Sequence, residues 1–295
     1  MMTKNLIMGV IKESLEKRLG DGYVLTLKPV LKNNGTIFTG LSIQRKGESL
    51  APVIYLEQFA DDYIHGEPLE QIVEMILHIY EKQRADEFDV SDVGTFDKIK
   101  NKIVYQLINT AQNEVLLRDI PSVPFLDLSI VFRVLIDSQY TQETASFLVH
   151  NLHLEAWGVS SDEVWEAAQE NTPELLPANI SPLDNVIRAL QPGLLEDSEC
   201  CSNKIYVLSN VKCQLGSCCI LYPQIMSDFA DSVGSFYILP SSTHEVLLLP
   251  EGDGLDVEFL RGMVHDVNRK EVPEQDILSD NVYFFSKDTK QMKQL

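Results

Sequence analysis

Between two apolar-rich runs, residues 23–30 and 36–43, the chain carries Lys32-Asn33-Asn34-Gly35. Asn and Gly enter positive φ at the least cost, so this tetrapeptide reverses the chain and predicts an antiparallel hairpin. A third run, residues 51–56, extends the hairpin to a meander, and Pro52, which cannot donate to a ladder, predicts an edge position for it. Ahead of the hairpin, Ile7, Ile11, Leu15 and Leu19 recur at intervals of four, the stripe of a docked helix, with Gly20 as its stop. After it, Pro68 stands at the first position of a helix whose Leu69, Ile72, Val73, Ile76, Leu77 and Tyr80 form an apolar face broad enough to cover the sheet.

Farther along, residues 95–110 read as another helix and residues 125–136 as one long buried strand or two interrupted ones, while residues 145–152 fit neither period. Ser160-Ser161-Asp162-Glu163 has the form of a capping box and starts a short helix that ends at Asn171-Thr172-Pro173. Pro173, Pro177, Pro182 and Pro192 surround a helical segment at 183–190 and mark a connector. Beyond it come a strand at 205–209, a helix at 217–233, strands at 236–239 and 245–249, a helix at 257–270 and a strand at 282–285. This β-α-β-β-α-β succession is the ferredoxin-like or split order, although the same elements admit a different pairing. The expected class is α+β: an N-terminal lobe over 1–155, a helical, Pro-rich connector over 156–200 and a C-terminal lobe over 201–295.

Composition narrows the partners. The 295 residues hold 44 Asp and Glu against 24 Lys and Arg, a formal charge of −20. A polyanion meets repulsion from such a chain, so direct binding of nucleic acid is disfavoured, and Lys287, Lys290 and Lys293 are too few to form a basic patch. Acidity of this size keeps a protein soluble, and it also suits a basic protein partner. The apolar run at 6–11 continues into Lys12, Glu13, Glu16, Lys17 and Arg18, which reads as an amphipathic helix and not as a signal peptide. No stretch is apolar enough to span a bilayer. Five cysteines, an odd number with no export signal, point to reduced thiols in a cytoplasm.

The densest chemistry is Pro240-Ser241-Ser242-Thr243-His244-Glu245, which sets hydroxyls, an imidazole and a carboxylate side by side. Ser242 as nucleophile with His244 and Glu245 as base and orienter is the enzymatic reading. Against it, neighbours on a strand point to opposite faces, and hydroxyl residues commonly satisfy turn backbone. Cys200, Cys201, Cys213, Cys218 and Cys219 crowd one segment without any Cys-x-x-Cys spacing. Cys213, Cys218 and Cys219 are the candidates for a metal or a reactive thiol. Packing as small hydrophobes in a helix is the alternative for the last two. Gly252-Asp253-Gly254 lacks the third glycine of a dinucleotide turn and is flanked by Glu251 and Asp256, so it reads as a turn with Asp256 as helix cap. His150 and His153 form a helical i, i+3 pair with no carboxylate placed near them by the sequence, so a helix-end role is expected. No Walker loop, nucleophile elbow or kinase motif occurs, and no cofactor is expected.

Several blocks carry a resemblance: Lys32-Asn33-Asn34-Gly35 with Gly40-Leu41-Ser42-Ile43, Ile54-Tyr55-Leu56-Glu57, Asp127-Leu128, Asn171-Thr172-Pro173, Tyr206 to Asn210, Leu239 to Val246, and Leu278 to Tyr283. Through them the whole chain resembles an uncharacterised family of bacterial proteins of about this length, a domain of unknown function. The resemblance implies an origin in anaerobic Gram-positive bacteria and carries over no activity, cofactor or catalytic residue. The expected function is that of a non-enzymatic cytoplasmic interaction or regulatory protein whose partner is another, basic, protein, in the sharpest form an inhibitor that mimics nucleic-acid charge. A hydrolase built on Ser241 to Glu245 and a small-ligand sensor with a pocket between lobes are the alternatives. The oligomeric state is not fixed by the sequence.

Overall fold

A computed structural model describes residues 3–47, 53–85, 94–136, 145–190, 205–252 and 256–295. By contact the chain divides into two compact units that do not follow the sequence-based boundaries. One comprises Met1–Lys32, Thr36–Gly94 and Asp137–Ala145, and the other Asn33–Gly35, Thr95–Ile136 and Ser146–Leu295.

The first unit is the expected meander under helices. Strands β1 (Tyr23–Leu31), β2 (Ile37–Arg45) and β3 (Val53–Tyr55) pair antiparallel in that order, with Leu25 opposite Ile43 and Leu41 opposite Ile54. β3, like β1, is an edge strand, and Pro52 lies outside the described residues. Because strand side chains alternate, Leu25, Leu41, Ile43 and Ile54 share a buried core with one face of each of three helices. Helix α1 (Lys4–Leu19) contributes Ile7, Ile11 and Leu15, and α3 (Leu69–Ala85) contributes Ile72, Ile76 and Tyr80. Between these, α2 (Glu57–Ile64) was not anticipated; its signal was Ala60 between the larger Phe59 and Tyr63.

The second unit holds two sheets. Residues 95–110 are not one helix: α4 (Phe96–Ile99) and a 3₁₀ turn give way to β4 (Ile103–Asn109). Every β4 residue is buried, and a run rich in β-branched and aromatic side chains with no polar face is that of a covered strand. Of residues 125–136, 128–136 form one long strand, β6 (Leu128–Ile136), and β5 (Ser122–Phe125) lies ahead of it, joined through Leu126, at φ 54°, and Asp127. β6 is central, paired with β4, β5 and β7 (Ala145–Leu148). α5 (Asn151–Trp157) follows, then α6 (Ser161–Leu175), which the Ser160–Glu163 capping box begins as expected. α6 is longer than predicted, since Pro173 sits in its last turn and costs it only one backbone hydrogen bond near the end.

The Pro-rich connector also contains a strand. β8 (Ala178–Pro182), ahead of α7 (Leu183–Leu190), forms the edge of a six-stranded sheet by pairing with β9 (Tyr206–Asn210). The sheet order is β13 (Met292–Gln294), β12 (Tyr283–Phe285), β10 (Phe236–Leu239), β11 (Val246–Pro250), β9, β8, all antiparallel. The predicted helix at 217–233 is a 3₁₀ segment, Gly216–Leu221, followed by α8 (Pro223–Val233), and α9 (Val257–Lys270) falls where expected.

The β-α-β-β-α-β order therefore holds, with β11 between β9 and β10 as in a split β-α-β unit. The pairing differs from a ferredoxin-like sheet, which sets the last strand beside the first; here β12 lies beside β10. Both crossovers then run the same way along the sheet from oppositely directed strands, and right-handed connections require their helices to lie on opposite faces. Phe229 of α8 packs edge-on against Phe236, which stacks on Phe285, whereas Leu260 and Val264 of α9 pack with Tyr237, Leu239 and Leu249.

Candidate functional site

Residues 240–245 link β10 to β11 and are held by backbone on both sides. Pro240 and Ser241 carbonyls accept from Ser279 and Leu278 N–H at 2.9 and 3.1 Å, Thr243 N–H donates to the Asp276 carbonyl at 2.8 Å, and the Thr243 carbonyl accepts the Ser217 hydroxyl at 2.8 Å. Ser242 and Thr243 are buried. The Ser242 Oγ accepts the His244 backbone N–H at 3.0 Å, a local turn bond. The His244 carbonyl accepts the Ser209 hydroxyl at 2.7 Å.

The His244 ring is engaged at both nitrogens. Nδ1 accepts the Leu215 N–H at 3.3 Å, and Nε2 lies 3.4 Å from Asp276 Oδ1. With Nδ1 accepting in the neutral ring, the proton sits on Nε2, on the side of the carboxylate. Asp276 raises the imidazole pKa above its ordinary value against the opposing effect of burial. A general base needs a free lone pair aimed at its nucleophile, and here that lone pair holds a backbone amide. The structure thus brings His244 to Asp276, a partner 32 residues away that the sequence did not suggest, and turns Ser242 to its own loop. Leu215, at φ 58°, precedes Gly216, where an added Cβ would overlap Ser209 Oγ and the His244 carbonyl.

The candidate cysteines are not brought together. Cys213 is exposed at φ 53°, whereas Cys218 and Cys219 are wholly buried in the 3₁₀ segment. Cys219 Sγ donates to the Ser209 carbonyl at 3.5 Å. A hydrogen bond with Cys219, then burial, push the Cys218 thiol well above its usual range, the reverse of the activation that a helix N-terminus would give. Among the described residues no group of three or more His, Cys, Asp or Glu is placed to hold a metal ion. Cys200, Cys201, Asp253 and Gly254 lie outside the described residues, and Asp256 caps α9 by accepting the Glu258 N–H. His150 and His153 begin α5: His153 Nδ1 accepts the His150 N–H at 2.9 Å, and Asp119, unforeseen, reaches His150 Nδ1 at 2.7 Å. Burial lowers the His153 pKa, and its ring stacks on Trp157.

A further polar assembly in the second unit has no local signal in the sequence. Asp127, at the β5–β6 turn, accepts the Ser279 hydroxyl at 2.6 Å, the Asn281 amide at 2.9 Å and the Tyr283 hydroxyl at 2.6 Å. Beside it, Asn34 and Asn113 exchange reciprocal bonds of 2.8 and 2.9 Å, and Asn34 Nδ2 donates to the Glu274 and Ile277 carbonyls. Asn109 Nδ2 donates to the Leu278 carbonyl, and Asn268 Nδ2 to the Ser279 carbonyl. A family model described as a family of unknown function, DUF5688, matches residues 6–287. The chain belongs to DUF5688. No curated protein and no solved structure matches it.

Within this DUF5688 chain, the blocks that carry the resemblance have traceable physical roles. Asn34 forms the hairpin turn at φ 57° and at the same time ties residues 274–277, and Asn171 Nδ2 donates to the Lys100 and Ile103 carbonyls. Thr172 Oγ1 accepts the Tyr105 N–H, and Asp127 joins the Leu278 to Tyr283 block. These side chains replace backbone partners where the chain is irregular, because a buried polar group left unpaired costs about 1–3 kcal/mol.

Proposed function

We propose that this DUF5688 protein is a non-enzymatic interaction protein of a bacterial cytoplasm that presents carboxylates to a basic protein, occupying the groove in which that partner holds nucleic acid. What carries the reading is the engagement of His244: both ring nitrogens and the Ser242 oxygen are spent on holding the loop, so the block nearest to catalytic chemistry serves the fold. The chain's charge of −20 sets the partner's sign. Helix α6 displays that charge in order. Asp162, Glu166, Glu170 and Glu174 are exposed at intervals of four, about 6 Å apart along the axis, and the helix carries no Lys or Arg. No helix among the described residues is long and apolar enough to cross a membrane.

The test is recovery of the tagged chain with its partner from native cells, followed by titration of the purified pair. Mimicry predicts that affinity falls at least about tenfold between roughly 50 and 200 mM salt, that nucleic acid competes, and that the triple variant Glu166→Gln, Glu170→Gln, Glu174→Gln binds more weakly. A partner held equally at both salt concentrations sinks the mimicry. An ester or amide hydrolysis that disappears in a folded His244→Ala variant sinks the non-enzymatic part.

A further inference from the structure

Helix α9 covers its sheet with Leu260 and Val264, exposed by only 1% and 3%, and turns a second apolar stripe outward. Phe259, Met263 and Val267 stand four residues apart and therefore on one side of the helix. Phe259 is 67% exposed and Val267 39%. With Gly262, Asp266 and Lys270 they line a shallow groove of about 530 Å³. Leaving a phenylalanine this open forgoes most of the roughly 2 kcal/mol that its burial would return. Gly262 leaves open space above the backbone in the same groove, so another helix can approach closely.

Charge identifies the occupant. The helix itself carries Glu258 and Asp266 against Arg261, Arg269 and Lys270, a formal +1 in a chain of −20. With Asp256 and Glu271 at its two ends the face comes to about −1, so it offers a basic partner little of the negative field that the rest of the chain carries. Two copies of this chain, which repel through their net charge, meet here on a face that carries cations as well as carboxylates. The charges are also polarised along the axis, with Asp256 and Glu258 at the start and Arg269 and Lys270 at the end. An antiparallel copy brings each end against its opposite.

We propose that α9 is a homodimer interface in which two copies pair antiparallel about a two-fold axis at Met263. Phe259 of one copy then lies over Val267 of the other, Met263 meets its own counterpart, and Lys270 faces Asp256, the self-complementary pattern that a two-fold interface requires. One helix stripe is smaller than the roughly 800 Å² per partner of a standard interface, so the dimer is weak, with a Kd of about 10–100 µM.

Sedimentation of the full chain from about 1 to about 500 µM should show the mass doubling, and added salt should strengthen the dimer by screening the repulsion between the two acidic copies. Phe259→Asp should stay monomeric with unchanged circular dichroism. Geometry is tested separately by a bis-maleimide that bridges about 8 Å, used on a background of Cys200→Ser, Cys201→Ser and Cys213→Ser. Met263→Cys should be linked into a dimer, whereas Phe259→Cys, displaced by about 12 Å from its counterpart, should not. A monomer at every concentration and salt overturns the proposal, as does a folded Phe259→Asp dimer or linkage of Phe259→Cys without Met263→Cys. If Phe259→Asp fails to fold, the linkage pair decides alone.

Discussion

His244 is held on both sides of its ring, by the Leu215 N–H at Nδ1 and by Asp276 beside Nε2. Its raised pKa has a consequence for stability whose sign follows from linkage. Protonation of Nδ1 gives up the Leu215 bond, but the Asp276 carboxylate still raises the folded pKa above the unfolded value, so the stabilisation from this pair is complete below the unfolded pKa and lost as pH climbs through the folded one. Asp276→Asn should therefore lower the melting temperature most below the ordinary histidine pKa of about 6.5, with the gap to the parent narrowing as pH rises above it. Melting curves of both proteins across that range check it; a gap that widens with pH would refute the Asp276 assignment. Asp127 is the stronger case. Its carboxylate serves three donors, and burial, then the carboxylate's charge, drive the Tyr283 pKa upward, so that hydroxyl stays protonated and donating. Tyr283→Phe should cost about 1–2 kcal/mol in urea unfolding, and Asp127→Ala about 3 kcal/mol, because it strands three donors instead of one. Sequence showed Asp127 and Tyr283 only as members of separate blocks, 156 residues apart, with nothing local to join them.

Elements were legible where one short-range signal was enough. The α1 stripe, the Asn34-Gly35 turn, the Ser160 capping box and the limits of α9 each rest on residues within a few positions of one another. The misreadings share a cause. In sequence β4 reads as helix and β8 as connector, because a short apolar run, or a strand bounded by prolines, acquires its identity from the neighbour it pairs with: β6 in one case and β9 in the other. The loop between β9 and α8 is also fixed by tertiary contact. Gly216 sits where Ser209 and the His244 carbonyl leave no space for a side chain. Gly216→Ala should destabilise the second unit by about 2–3 kcal/mol or more, measurable by chemical unfolding, whereas Gly262→Ala on α9, with open space around it, should be neutral or slightly stabilising.

For the whole molecule, charge is the property that composition alone decides. A chain of −20 repels itself in the folded state, and its exposed ion pairs, such as Lys4 with Asp61 or Lys290 with Asp231, return little. Raising sodium chloride from about 20 to about 500 mM should therefore raise the melting temperature, since screening removes more repulsion than attraction. A fall would mean that specific pairs dominate. By itself the sequence determined the class, the order of most elements, the acidic field and the family resemblance, because composition, periodicity and turn chemistry act over short distances along the chain. Only the tertiary structure decided that β12 lies beside β10, that α8 and α9 take opposite faces, and that His244, Ser242 and Asp127 are bonded inward. Strand partners and buried hydrogen bonds are chosen by closing long loops, and the energies that choose them belong to pairs of residues no local pattern connects.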